Sequence, residues 1–291
     1  MANYGKVLIS TDNLGLVYKL GRGNGKRKSG QASTLTALHD VSISVNEGEF
    51  VSVVGPSGCG KSTLLYILAG LYRNTSGKAY IHGHEIAGPS LDRGIIMQAY
   101  ALFPWRTVQK NVEFGLEVKG LKKKEREEVA LEFIDLVGLR DFADRYPYEL
   151  SGGMKQRIAI ARALAYDPDV LLMDEPFAAV DEQTRTLLHE ELLRIWEKTH
   201  KTIIFVTHSI DEAIFLSDRV VVMTSSPGMV KDEIRVELER PRTNEIKSTP
   251  LFGSYRNDIW RHLQSLTDST REVTTMQGRH ILGAVPQEAV I

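Results

Sequence analysis

Short, nearly unbroken apolar runs mark the first and last parts of the chain: Glu49-Phe-Val-Ser-Val-Val54, Val170 to Asp174, Thr202 to Thr207 and Arg219 to Thr224. Runs of this length without polar alternation fit strands covered on both faces, as in a parallel sheet. Between and after them, residues 62–71, 182–198 and 209–216 read as helices, which makes the pattern α/β. From about residue 98 to 167 the rhythm changes to a helical one. Val129, Phe133, Leu136 and Val137 recur at helical spacing behind a charged face that opens with Lys122-Lys-Lys-Glu-Arg-Glu-Glu128, read as solvated. The expected organisation is an α/β core over 1–97 and 168–240 with N-terminal antiparallel strands. A helical subdomain occupies 98–167, and a C-terminal helical extension and tail occupy 241–291. Lys19 to Thr34 is basic and glycine-rich and reads as a loop, either a solvated hairpin tip or a lipid or regulatory contact.

Composition narrows the classes. A chain of 291 residues can bury a sufficient core without crosslinks. With 36 Lys+Arg against 37 Asp+Glu, no overall charge argues for nucleic acid as a partner. The apolar runs fall far short of the roughly 20 residues needed to cross a bilayer, and the N-terminal Met-Ala-Asn-Tyr-Gly-Lys has no apolar signal region. The chain is therefore expected neither to span a membrane nor to be exported. Its single cysteine, Cys59, forbids an internal disulfide and favours a reducing compartment. Two readings of Cys59 stay open: a redox-sensitive thiol, or a small residue that fits its loop.

The candidate chemistry begins at that loop. Gly55-Pro56-Ser57-Gly58-Cys59-Gly60-Lys61-Ser62-Thr63 fits G-x-x-x-x-G-K-[ST], and it follows an apolar run and precedes a helical stretch. Backbone N–H groups of such a loop cradle a polyphosphate, Lys61 neutralises charge, and the Ser62 hydroxyl is offered to Mg²⁺. Val170-Leu-Leu-Met-Asp174 ends a buried strand in a carboxylate able to hold Mg²⁺, and Glu175 follows where it can orient or deprotonate a water. A second glycine segment, Leu150-Ser151-Gly152-Gly153, opens the helix predicted at 152–166, where Ser151 can act as cap and the amides can face an anion.

Taken together, these segments resemble those of the ATP-binding cassette ATPases, the nucleotide-binding subunits of ABC transporters, over residues 8 to 265 or so. The resemblance implies a P-loop NTPase core of the ABC ATPase type with an inserted helical subdomain, and ATP and Mg²⁺ as cofactors. It makes Leu150–Gly153 the signature motif, with Met154 in place of the commoner Gln. In this family the signature Ser and glycines contact the γ-phosphate held by the loop of a second copy. Two chains then sandwich two ATP molecules head to tail. Gln98 resembles the glutamine that meets metal and water, His208 the histidine that contacts the γ-phosphate, Asp181 the aspartate of the D-loop, and Tyr18 the aromatic that stacks on adenine. Ala178-Ala179-Val180 departs from the usual approach to that aspartate.

Further likenesses concern transport. A lone cassette resembles bacterial importer subunits, whose partners are separate transmembrane permease chains and, indirectly, a periplasmic or lipid-anchored solute-binding protein. Its place would be peripheral, on the cytoplasmic face of the inner membrane. Gly88 to Gln98, Leu102-Phe-Pro-Trp105, Ser226-Pro-Gly228 and Arg240-Pro-Arg242 resemble the nitrate/sulfonate/taurine branch, with sulfonate or taurine members ahead of nitrate. Tyr100, Leu102, Phe103, Pro104 and Trp105 are either an apolar surface for a permease helix or subdomain core. No Asn-Lys-x-Asp occurs to read guanine. Neither a second cassette nor a long coiled-coil insertion suggests a role on ribosomes or DNA.

Overall fold

The computed structural model describes residues 5–19, 34–178 and 180–264. The basic stretch 20–33, with both readings of it, and the tail beyond 264 lie outside the described residues. In chain order the strands are β1 (Val7–Lys19), β2 (Thr34–Val41), β3 (Ser44–Asn46), β4 (Phe50–Val54), β5 (Ser76–Ile81), β6 (His84–Glu85), β7 (Arg93–Ile96), β8 (Val170–Asp174), β9 (Thr202–Val206), β10 (Arg219–Met223) and β11 (Val230–Arg235). The helices are α1 (Lys61–Leu68), α2 (Val108–Val118), α3 (Lys123–Leu136), α4 (Gly152–Ala165), α5 (Glu182–Thr199) and α6 (Ile210–Leu216). Residues 250–264 form a further helix, α7.

One sheet is six-stranded in the order β11-β10-β4-β9-β8-β7, parallel except for the edge strand β11. Every residue of β4, β8, β9 and β10 is buried, as unbroken apolar runs require. Alternate side chains serve opposite faces. Val51, Val53, Leu172, Ile204, Val206 and Val221 pack with Leu64, Leu65 and Leu68 of α1 and with the antiparallel sheet of β1, β2, β3, β5 and β6. Phe50, Val54, Leu171, Met173, Ile203 and Phe205 face α4, α5 and α6 through Ile158, Leu192, Trp196 and Phe215. Burying each such side chain contributes about 1.5–3 kcal/mol.

Helices α2, α3 and α4, from the middle third of the chain, pack on one another. On α3 the fully buried stripe is Ala130, Ile134 and Val137, whereas Val129, Phe133 and Leu136 are half-buried along its margins. The sequence reading thus found Val137 and the margins of the stripe, all packed against the core, and missed its centre, because it gave the small Ala130 too little weight. The charged face is solvated at Lys122 to Glu125, but Arg126 folds inward. It donates to Glu113, whose fully buried carboxylate also accepts from Lys110 at 2.8 Å.

Arg240 and Arg242 fasten the segment that leads to α7. The Arg240 guanidinium lies 4.1 Å from the Trp196 ring and pairs with Asp218 at 2.9 Å. Arg242, 4% exposed, donates to the carbonyls of Ile214, Phe215 and Ser217, which end α6, and to those of Val236 and Leu238. Carbonyls at a helix C-terminus have no partner in the helix itself. Arg242→Met keeps the bulk and strands these acceptors, with an expected loss of about 3 kcal/mol. A urea unfolding midpoint unchanged from the parent would show that the guanidinium holds nothing.

Candidate functional site

The strand order decides which residues can meet. Val53 lies opposite Val206 across the β4–β9 pair, Asp174 opposite Val206 across β8–β9, and Ile96 opposite Met173 across β7–β8. The segments that leave the carboxyl ends of these four strands therefore emerge side by side. Such a row of strand ends is where open α/β sheets bind ligands.

From β4 the chain enters the loop 55–60 and then α1. Gly58 at φ +77° and Gly60 at φ +97° adopt backbone conformations that side chains disfavour, and Gly60 is the residue from which α1 starts. Space is a second constraint at Gly60, where a Cβ would stand 2.8 Å from the Ala37 carbonyl oxygen. The Lys61 ammonium is folded over the loop, donating to the carbonyls of Gly55 at 2.9 Å and Pro56 at 3.2 Å. Cys59 is 1% exposed, and its burial outweighs the pull of Lys61 and raises its thiol pKa. A protonated, enclosed thiol is a poor redox centre, and the space-filling reading of Cys59 is the one that fits.

From β8 come Asp174 and Glu175. The Ser62 hydroxyl donates to Asp174 Oδ1 at 2.8 Å and the Tyr66 hydroxyl to Oδ2 at 2.9 Å. Burial and the neighbouring carboxylate push the Tyr66 phenol up to about 12. Glu175 takes φ +44°, its N–H bonds to the Val206 carbonyl at 2.9 Å, and its Oε2 lies 3.2 Å from His208 Nδ1. The His208 ring is 62% exposed and the Glu175 side chain 25%, so both border solvent. Gln98, exposed, stands just past the end of β7, next to β8. The segment after it is tied to α4 by Arg162, which donates to the carbonyls of Tyr100 at 3.0 Å and Ala101 at 2.7 Å.

Tyr18 lies within β1. Its hydroxyl is 3.2 Å from Thr63 Oγ1, and its ring meets Tyr72 edge-on at 6.4 Å. It is thus adjacent to the start of α1. In the loop, Pro56 is half-buried and Ser57 exposed.

The second glycine segment is built elsewhere. Ser151 caps α4, accepting from the Met154 amide at 3.3 Å, and a Cβ on Gly153 would stand 2.8 Å from Thr184 Cγ2 of α5. Asp181 caps α5 by accepting from the Thr184 amide at 3.0 Å, a bond that holds its carboxyl below the usual range. Ser151, Gly153 and Met154 open onto a cleft of about 590 Å³, walled on the far side by Thr184, Leu187 and Leu188 of α5. Residues 55–63, Asp174, Glu175 and His208 do not line that cleft. The structure gathers Ser62, Asp174, Glu175 and His208 into one cluster with Gln98 beside it, whereas Ser151 and Gly153 line a cleft that this cluster does not.

The residues present fit a small hard cation. Ser62 and Asp174 offer oxygen donors 2.8 Å apart, and no group of three or more His, Cys, Asp or Glu among the described residues could hold a metal unaided. One carboxylate and one hydroxyl, completed by phosphate oxygens and water, is the usual provision for Mg²⁺.

The profile of the ABC transporter family matches residues 38–178. An uncharacterized ABC transporter ATP-binding protein of Methanocaldococcus jannaschii is 55% identical over 254 residues, spanning 87% of this chain and 90% of that protein. The chain belongs to the ABC transporter ATP-binding proteins. A nitrate import ATP-binding protein of Synechocystis is 48% identical, spanning 79% of the cassette and 89% of that protein. A taurine import ATP-binding protein of Roseobacter denitrificans is 42% identical, spanning 91% and 96%. A solved dimeric cassette in a post-hydrolysis state, bound to ADP and Pi, is 33% identical at TM-score 0.67. It covers 80% of this cassette and is itself covered completely.

Three features of the cassette's site escaped the sequence reading. The turn 224–229 between β10 and β11 backs the phosphate loop: Gly228 exchanges hydrogen bonds with Ala37 and His39 of β2, and Ser226 Oγ donates to the Gly58 carbonyl at 3.3 Å. Ser226-Pro-Gly228 is legible as a turn, but its contact depends on β10 lying beside β4. Glu212, on α6, accepts from the Thr207 hydroxyl and lies 3.2 Å from His189 Nε2 of α5, so the residue before His208 is anchored in the interior. Burial opposes ionisation of Glu212, but its bonds to His189 and Thr207 outweigh that and lower its pKa. Tyr66 is the third, and nothing in its sequence context marks it. Among the described residues, no helix is long and apolar enough to cross a membrane.

Proposed function

We propose that this cassette binds and hydrolyses ATP with Mg²⁺ between two copies of itself and passes the resulting motion to a separate permease. The cluster of Ser62, Asp174, Glu175 and His208 at adjacent strand ends is the observation that carries this reading. Amides of Gly58 to Ser62 hold the polyphosphate and Lys61 turns from its loop carbonyls to the phosphate charge. When bound at Ser62 and Asp174, with Gln98 nearby, Mg²⁺ supplies neutralisation of the charge shared by the β- and γ-phosphate oxygens. Glu175 accepts a proton from the attacking water as it approaches the γ-phosphorus, and His208 holds the γ-phosphate oxygens and orients Glu175. Tyr18 supports adenine from its place beside α1.

That Ser151 and Gly153 line a cleft which their own phosphate loop does not supports the reading that Ser151, Gly152 and Gly153 serve the nucleotide of the other copy, with Asp181 near the junction. Pairing Lys61→Ala with Ser151→Arg tests this. With the two lesions on different chains of one dimer, both fall in the same composite site and one nucleotide per dimer is expected to be trapped. With both on one chain beside an unaltered partner, each site carries one lesion and none is trapped. Equal trapping in the two arrangements would exclude the shared site.

The import assignment draws on the likeness to nitrate and taurine import proteins. Aliphatic sulfonate or taurine is the favoured solute and nitrate the alternative, delivered by a solute-binding protein to the permease. On this reading the cassette works at the cytoplasmic face of the membrane. Trp105, 72% exposed beside Phe103, then belongs to the surface that receives the permease.

A further inference from the structure

Asp174 has a partner for which ATP hydrolysis provides no role. Its two oxygens are divided: Oδ1 accepts from Ser62 at 2.8 Å and Oδ2 from Tyr66 at 2.9 Å. Both donors stand on α1, four residues apart, and so on one side of the helix. The Tyr66 ring is itself fixed, edge-on against Tyr72 at 5.4 Å, and Tyr72 meets Tyr18 in the same manner at 6.4 Å. A carboxylate with only one partner turns about its Cβ–Cγ bond and offers its oxygens interchangeably. With Oδ2 engaged by Tyr66, that rotation is stopped and Oδ1 stays toward Ser62.

We propose that Tyr66 is a positioning residue that locks the Asp174 carboxylate so that one chosen oxygen, beside the Ser62 hydroxyl, is presented to the divalent cation. This rests on Asp174 holding Mg²⁺. The small cation demands near-ideal octahedral geometry, and a partner that orients a ligating carboxylate is worth about 10- to 100-fold in metal affinity. Tyr66 touches neither nucleotide nor water in this scheme. Its effect is confined to the metal-dependent part of binding.

The test compares ATP affinity of the full chain in Mg²⁺ and in EDTA. Tyr66→Phe removes the hydroxyl and keeps the ring against Tyr72. Affinity in EDTA is expected to remain within twofold of the parent, while the gain conferred by Mg²⁺ shrinks about tenfold or more. Mn²⁺ titrated with ATP and followed by its paramagnetic resonance should show the same weakening. Tyr72→Phe, which keeps both ring contacts, is expected to leave the gain intact. An unchanged gain in Tyr66→Phe, with the gain lost in Asp174→Asn, overturns the role of Tyr66 alone. An undiminished gain in Asp174→Asn overturns the metal role of Asp174 and this inference with it. Equal weakening of Tyr66→Phe in Mg²⁺ and EDTA also overturns it, because that is the signature of a merely structural tyrosine.

Discussion

Glu175→Gln is expected to lower ATP turnover by about 10²- to 10⁴-fold, the usual worth of a positioned general base, while ATP affinity stays close to that of the parent. Glutamine has the length and shape of glutamate and keeps the hydrogen bond from its own amide to Val206. The left-handed backbone at this position, φ +44°, is carried by both residues alike, so the substitution adds no strain of its own. What disappears is the capacity to take a proton. The neighbouring His208, 3.2 Å away, retains a polar partner in the amide. Phosphate release at saturating ATP, measured beside equilibrium ATP binding, separates the two effects. Turnover within twofold of the parent would remove Glu175 from its assigned role, and a parallel collapse of binding would make it a structural residue.

Gly228→Ala is expected to weaken ATP binding by tenfold or more, although the residue touches no phosphate. A Cβ at this position would stand 1.9 Å from the Cys59 carbonyl oxygen, with the Ala37 carbonyl oxygen 3.2 Å away on another side. The nearest obstacle is backbone of the phosphate loop, which cannot swing aside as a side-chain end can. Either the loop or the turn must shift, and a misplacement of about 1 Å at a reacting site can cost about 10²-fold. No positive φ is involved at Gly228, so the effect would come from space alone. Ser226→Ala supplies the contrast, since it forfeits only a hydrogen bond of 3.3 Å to Gly58 at an exposed position. ATP binding by the two variants, with thermal unfolding to register the clash, decides the matter. Parental affinity in Gly228→Ala would mean that the loop holds its shape without the turn.

The parts of this molecule legible in advance are those whose cause is local. Unbroken apolar runs identified β4, β8, β9 and β10 because a strand buried on both faces has no polar position to spare. The phosphate loop was legible because its glycines meet a backbone requirement, φ +77° and +97°, that sequence spacing displays. Other features depend on which strands become neighbours. The contact of Gly228 with Cys59 exists because β10 pairs with β4. Tyr66 reaches Asp174 across 108 residues of chain because α1 crosses the end of β8. The inward turn of Arg126 to Glu113 was hidden for a related reason, since a charge run shows its sign but not the opposite charge waiting on another helix. On α3, alanine at the centre of the buried stripe gave a weaker signal than the larger residues at its edges.

The order of the parallel sheet also bears on how the protein acquires its shape. The strand ends that carry Gly55, Asp174 and His208 are contiguous in space yet come from distant points along the chain. Closing such separations costs loop entropy before any contact repays it, so this edge is expected to form late. The packing of α2 on α3 is, by contrast, between sequence neighbours and can form early. No contiguous fragment carries the whole nucleotide edge, so a ligand that contacts all of it favours chains whose sheet is complete. A nucleotide held only by the native state would stabilise it by about 2.7 kcal/mol at a hundredfold excess over Kd. In a cell, a nucleotide that occupies this edge would then act as the inspector of the protein's assembly.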